Sequence, residues 1–262
     1  MRDLKVTLVQ ANLVWEDRGA NLAQFDHHLA RLQEKTHLVV LPEMFSTGFS
    51  MNVAKLAEGM DGPTVQWLQS KAAQVGLDII GSVIIEEDGR YFNRLLWARP
   101  DGQLFKYDKR HLFRMAGEDK VYSAGDTHLT VELQGWQIRP FVCYDLRFPV
   151  WTRNVGMAYD LAIFIANWPE KRAAHWRALL AARAIENQSF VVGVNRVGED
   201  GNGHPYCGDS SVIDPLGNIL FHNRNKACIQ TVMLSSESPK AYRRSFPAWQ
   251  DADTFTIRED EV

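Results

Sequence analysis

Phe141-Val142-Cys143-Tyr144-Asp145-Leu146-Arg147-Phe148-Pro149 closes an apolar run that begins at Ile138. The run reads as a buried strand entering from the turn at Gly135-Trp136. Polar residues and then a helical stretch follow, so Cys143 sits on a sharp bend at the strand's carboxyl end. In open α/β folds, ligands bind at that end. On position alone Cys143 reads two ways. It is a small buried hydrophobe, a common use of free cysteine, or a nucleophile, which needs a specific electrostatic setting. The rest of the chain has to decide.

Upstream, residues 6–9 and 37–41 read as strands, and 19–35 as a helix with Leu22, Phe25, Leu29 and Leu32 at spacings of three and four. The second strand ends at Pro42-Glu43, where proline stops the ladder. Residues 44–60 read as loop. Pro63 suits the first position of a helix that Gly76 ends. Residues 78–85 and 91–98 pair through the turn Asp88-Gly89, and 104–107 form a further strand. The polar stretch to Asp126 is long enough for a functional loop. Downstream, residues 129–133 and 136–142 form a hairpin, and 151–156 read as helical. Residues 161–166 and 190–195 are buried strands around a helix over 171–187. A meander over 206–213, 219–221 and 228–233 follows, and the tail beyond Ser235 is polar. Strands alternate with helices in two blocks, each ending in hairpins. This predicts an α/β fold: a four-layer α-β-β-α sandwich of two mixed sheets.

The chain has 262 residues, 45% hydrophobic and 23% charged, enough for one large core. A net charge of −3 gives no basic footprint for nucleic acid. No apolar run is long enough to span a bilayer, and no secretory h-region is expected. Cys143, Cys207 and Cys228 are odd in number and far apart, which suits a reducing cytoplasm rather than a disulfide framework. Without metal-ligand or phosphate-loop spacing, neither a metal nor any other cofactor is expected.

Three polar groups follow apolar runs: Glu43, Lys109 and Cys143. If their strands share a sheet and direction, the side chains gather at one edge. A free thiol is only a few per cent thiolate at pH 7. A glutamate can take its proton, and an ammonium can hold an oxyanion together with a backbone N–H near the nucleophile, here that of Tyr144. That set suits acyl transfer from an amide or nitrile. Read singly, Glu43 and Lys109 are equally solvated loop charges, and periodicity cannot bring the three together.

Leu41-Pro42-Glu43, the stretch Tyr107 to Phe113, and the stretch Val142 to Pro149 resemble, in order and rough spacing, the three catalytic blocks of the nitrilase superfamily, the carbon–nitrogen hydrolases. Arg183 to Asn187 and Gly208 to Gly217 are similar to that family's following helix and closing hairpin. The resemblance implies Glu43 as general base, Lys109 as stabiliser of the tetrahedral intermediate and Cys143 as nucleophile. It implies the sandwich fold, with a hydrolase domain over residues 1–234. Residues 235–262 are then an extension packing on the domain or on a partner subunit of a homodimer or higher homo-oligomer. Glu118 matches a second glutamate often present after the lysine, where it would orient Lys109 or the substrate.

Cys143 to Pro149, with Asn167-Trp168-Pro169 and Phe246-Pro247-Ala248-Trp249, is similar to the bacterial omega-amidases, which act on 2-oxoglutaramate and 2-oxosuccinamate. Such substrates carry a distal carboxylate, and Arg147, Lys171 and Arg172 are the candidate cations, although Arg147 equally suits a structural ion pair. Trp168 and Phe45 are candidate pocket walls. Rival readings are a nitrilase, an N-carbamoyl-amine hydrolase, or a non-catalytic interaction module on the same scaffold. His111 invites a Cys–His dyad, which the glutamate and lysine make unnecessary.

Overall fold

The computed structural model describes residues 1–32 and 34–257. The first sheet takes β1 (Leu4–Gln10), β2 (Leu38–Val40), β3 (Asp78–Glu87), β4 (Arg90–Ala98) and β5 (Leu104–Asp108). The second takes β6 (Val131–Leu133), β7 (Trp136–Val142), β8 (Leu161–Ala166), β9 (Phe190–Asn195), β10 (Val197–Glu199), β11 (Pro205–Ile213) and β12 (Ile219–Arg224). Then β13 (Cys228–Leu234) returns to the first sheet, antiparallel to β1. The first sheet runs β13-β1-β2-β3-β4-β5, and the second runs β10-β11-β9-β8-β7-β6 with β12 beside β11. Both are mixed. The strands β1, β2 and β3 are parallel, as are β7, β8 and β9, while hairpins extend each sheet antiparallel.

Continuous apolar runs become strands covered on both faces: β8 and β9 are buried at every position. Their inward side chains meet those of β1, β2 and β4 in one core between the sheets. The helices α1 (Arg18–Ala30), α2 (Val53–Leu56) and α3 (Pro63–Val75) belong to the first half. Phe25 and Leu29 of α1 and Val65, Leu68 and Ala72 of α3 cover the outer face of the first sheet. The second half adds α4 (Pro149–Thr152), α5 (Ala173–Asn187) and α6 (Glu237–Ser245). Trp176, Leu180 and Ala184 of α5 close the outer face of the second sheet. Helix, sheet, sheet, helix is the four-layer order expected.

Local chemistry accounts for most boundaries. Pro63 opens α3, and Gly76, at φ 67°, ends it with its N–H on Ala72 O. Asp88 and Gly89 both take positive φ, as a type I′ hairpin turn requires. Two expectations are corrected, and the polar tail gains an element. The first helix stops at Ala30 rather than Lys35, closed where the Arg31 N–H bonds His28 O and the Leu32 N–H bonds Leu29 O. The stretch read as loop after Glu43 contains α2, and the polar tail forms α6. Tertiary contacts hold α6: Arg243 reaches Asp160 Oδ1 at 2.8 Å and the carbonyls of Tyr159 and Gln188 at 2.9 Å.

Gly193 sets how closely α5 lies on β9. A Cβ there would stand 2.5 Å from Leu180 Cδ1 and 3.0 Å from Trp176 Cζ2. Gly193→Ala should therefore destabilise the protein by about 1–3 kcal/mol, overpacking outweighing the smaller unfolded-state gain. Thermal unfolding followed by circular dichroism checks this, and an unchanged or higher midpoint would mean that the helix yields freely.

Candidate active site

Glu43 follows β2, Lys109 follows β5 and Cys143 follows β7. β2 and β5 run the same way in the first sheet, and β7 belongs to the second. The three groups thus meet across the two sheets rather than along one edge. Two bends make the approach. Met44, just after Glu43, has φ 43°, and Cys143 itself has φ 47°. Left-handed backbone is unfavourable for such residues and persists where the surroundings over-determine it. The Met44 N–H bonds Ser82 Oγ at 2.8 Å, and the Val142 N–H bonds Asp145 Oδ2 at 3.0 Å.

Lys109 Nζ lies 3.0 Å from Glu43 Oε1 and 2.9 Å from each oxygen of Glu118. All three side chains are fully buried. Asn93 Nδ2 donates to Glu43 Oε1 at 2.7 Å, and the Asn167 N–H donates to Glu43 Oε2 at 2.7 Å. Glu118 also accepts from the Phe113 N–H. The Phe49 ring lies 5.0 Å from the ammonium. Burial alone would lower the lysine pKa, but Glu118 first and Glu43 next outweigh it, and the ammonium is held charged. Burial holds the Glu118 carboxyl above its usual range despite Lys109. The Cys143 thiol donates from Sγ to the Asn167 carbonyl at 4.0 Å and feels the charge of Glu43. Burial first, and that carboxylate second, push it well above its ordinary value. The resting arrangement is a neutral thiol beside a carboxylate, with the ammonium between two acids.

Lys109 and Cys143 of this cluster line the floor of a cavity of about 520 Å³. Tyr144, Trp168, Arg147 and Arg172 line it, as the sequence suggests, and so does the exposed Lys171. The Arg147 guanidinium lies 4.9 Å from the Trp168 ring and donates from Nη2 to His175 Nδ1 at 2.9 Å. The Arg172 guanidinium lies 5.0 Å from the Phe113 ring. Burial first, and the like charge of Arg147 second, lower its pKa. Among the described residues no carboxylate pairs with either arginine.

Phe45 is a correction. It packs against Phe25 and Trp67 in the outer core and fills the space over Gly81, away from the cavity. The turn at Met44 sends it there, and Phe49 takes its place beside Lys109. Asn93, the acid-holding role of Asn167, and the far wall of Asp200, His204 and Tyr206 went unread in the sequence. Asn93 did carry a signal, as a polar residue on a strand face it shares with Tyr91 and Leu95.

The chain is 49% identical over 258 residues to omega-amidase YafV of Escherichia coli K12, covering 98% of this chain and 100% of that protein. It is 32% identical over 260 residues to the 2-oxoglutaramate amidase of Bacillus subtilis, covering 97% of this chain and 98% of that one. The crystal structure of a CN-hydrolase superfamily protein of Xanthomonas campestris, with an arsenic adduct in its active site, superposes with a TM-score of 0.96. It is 47% identical, covering 98% of this chain and 100% of that chain. The profile of the carbon-nitrogen hydrolases matches residues 5–244, and with these whole-length relatives the chain belongs to that family.

Proposed function

We propose that the protein hydrolyses the omega-amide of a small 2-oxo acid, 2-oxoglutaramate or 2-oxosuccinamate, to the 2-oxo dicarboxylate and ammonia. One observation carries the reading. A buried acid–ammonium–acid cluster stands beside a thiol at the floor of a cavity whose lining holds two guanidiniums with no carboxylate partner among the described residues. The whole-length likeness to enzymes named omega-amidase and 2-oxoglutaramate amidase supports the same chemistry.

Glu43 takes the thiol proton as the Cys143 sulfur attacks the amide carbonyl. The two Glu118 oxygens share one N–H of Lys109, Glu43 holds a second, and the third serves the developing oxyanion with the Tyr144 N–H. Glu43 then gives its proton to the leaving ammonia, and a thioester remains. Water enters, Glu43 removes its proton, and the second tetrahedral intermediate collapses to the carboxylic acid and the thiol. Glu118, bidentate on Lys109, fixes the ammonium. Arg147 and Arg172 receive the distal carboxylate, and Trp168 is a wall of the pocket.

The same reading places the enzyme in the cytoplasm as a homodimer. The exposed apolar side chains Val150, Val155, Ile185 and Leu216, around α4 and α5, support a covered face there. Residues 1–234 form the hydrolase body and 235–262 an extension whose described part is tied to it through α6. No helix among the described residues is long and apolar enough to cross a membrane.

Cys143→Ala should abolish ammonia release and any acyl-enzyme mass adduct while leaving the thermal midpoint close to that of the parent. An active Cys143→Ala protein would refute the mechanism. Arg172→Met and Arg147→Met should each raise KM for 2-oxoglutaramate by about tenfold to a hundredfold, the scale of a charge-assisted hydrogen bond. Neither should alter turnover of a neutral aliphatic amide. A panel of 2-oxoglutaramate, glutamine, a nitrile and an N-carbamoyl amine, read by ammonia release, sets the substrate class. Preference for the nitrile or the carbamoyl amine would move the protein to another branch of the family.

A further inference from the structure

Asp145 is fully buried, and no lysine or arginine among the described residues pairs with it. Its carboxylate accepts four hydrogen bonds. Tyr107 Oη donates to Oδ2 at 2.7 Å and the Val142 N–H donates to the same oxygen at 3.0 Å. The His111 N–H and His111 Nδ1 both reach Oδ1 at 2.9 Å. These donors are not scattered. Tyr107 and His111 stand two residues before and two residues after Lys109, and Val142 immediately precedes Cys143. One carboxylate, two residues beyond the sulfur, therefore closes on both flanks of the ammonium from the other sheet.

We infer that Asp145 is the positioning residue that sets the Cys143 sulfur against Lys109, acting through Tyr107 and His111. This rests on the nucleophile role proposed for Cys143. An unpaired buried carboxylate is costly, and hydrogen bonds to an ionised acceptor are short and strong. The four donors must therefore stay in place, and with them the two chain segments. An ionised carboxylate only accepts, so His111 Nδ1 carries the proton. The imidazole is held flat on Phe148, with ring centroids 3.7 Å apart and planes 6° from parallel. Trp151 Nε1 donates to Tyr107 Oη at 3.0 Å, which leaves the single phenol proton directed at Asp145. The Cys143 bend, at φ 47°, needs such over-determination to persist. A residue that merely capped the turn would need only the Val142 bond. The links to Tyr107 and His111 tie the elbow to the lysine segment, and capping does not require them.

The test uses the full-length protein with Asp145→Asn, Tyr107→Phe, His111→Ala and His111→Asn. It reads kcat and KM for 2-oxoglutaramate, the rate of Cys143 alkylation by iodoacetamide, and the thermal midpoint. Asp145→Asn should lower kcat by about a hundredfold, the cost of a misplacement of about 1 Å, with KM little changed. His111→Ala and Tyr107→Phe should lower kcat less. His111→Asn, whose amide nitrogen stands where Nδ1 stood, should recover most of the His111→Ala loss. Alkylation should slow in the same order. A folded Asp145→Asn protein with parental kcat and alkylation rate overturns the inference. If Asp145→Asn does not fold, the other three decide. Midpoints that fall with no change in kcat or alkylation, or His111→Asn no better than His111→Ala, overturn it as well. Alkylation needs no substrate. Should the amide panel fail while alkylation follows the series, the proposed reaction falls and the positioning role stands.

Discussion

A fully buried ammonium between two fully buried carboxylates is the constraint around which the rest of the molecule is arranged. Removing three charges from water costs several kcal/mol per ion, and mutual attraction repays it only with good geometry and every remaining donor and acceptor met. The protein assembles the partners of these charges from separate parts of the chain. The turn after β2 supplies Glu43, β5 delivers Lys109, and a short 3₁₀ turn at Glu118–Lys120 brings the second acid. Asn93 and the Asn167 N–H occupy the other positions on Glu43. The cluster also acts on the state of the Cys143 thiol. Burial first, then Glu43, raise the thiol's pKa, and Lys109 opposes them. The buried thiol is thereby held protonated.

The sheet architecture was legible because its strands are buried on both faces. Runs such as Leu161–Ala166 and Phe190–Asn195 have no polar side to lose, so composition alone marks them. Cap chemistry marked α3, whose proline and glycine each have one backbone reason to be there. The unread elements are those that composition does not stabilise. α6 is polar and exists because Arg243 finds Asp160 and two carbonyls far away in sequence. β10 is three residues long and depends on pairing with β11. α1 stopped short although Leu32 continues its apolar spacing, since the carbonyls that end it are chosen by the closing turn.

At the site, the residue types were readable and the directions were not. Glu43, Lys109 and Cys143 each follow an apolar run, and their chemistry is complementary wherever they meet. That they meet between two sheets depends on how the sheets stack, which periodicity does not encode. Phe45 and Phe49 both follow Glu43, and only the turn at Met44 decides which faces the outer helices and which faces the ammonium. Asp145 stands in the sequence only as a polar residue just past Cys143. Its reach to Tyr107 and His111 is a contact across 38 and 34 residues of chain, invisible until the fold exists.

The charge layout of the cavity accounts for how a substrate carrying a carboxylate would orient in the proposed reaction. At the floor, lined by Lys109 and Cys143, the buried acids Glu43 and Glu118 flank the ammonium from outside the lining. A carboxylate pushed toward that floor would meet repulsion in a low-dielectric setting, where Coulomb terms are large. Arg147 and Arg172 place two positive charges elsewhere in the lining, and both are free of acidic partners among the described residues. The acids that also line the cavity do not compete for them. Glu16 is held by Ser50, Asn52 and Lys55, and Asp200 by the N–H groups of Asn202 and His204 and by the Tyr206 hydroxyl. The field thus favours one orientation, the neutral amide at the thiol and the carboxylate at the guanidiniums. It does so without a contact to the reacting atoms, which remain for Glu43, Lys109 and Cys143.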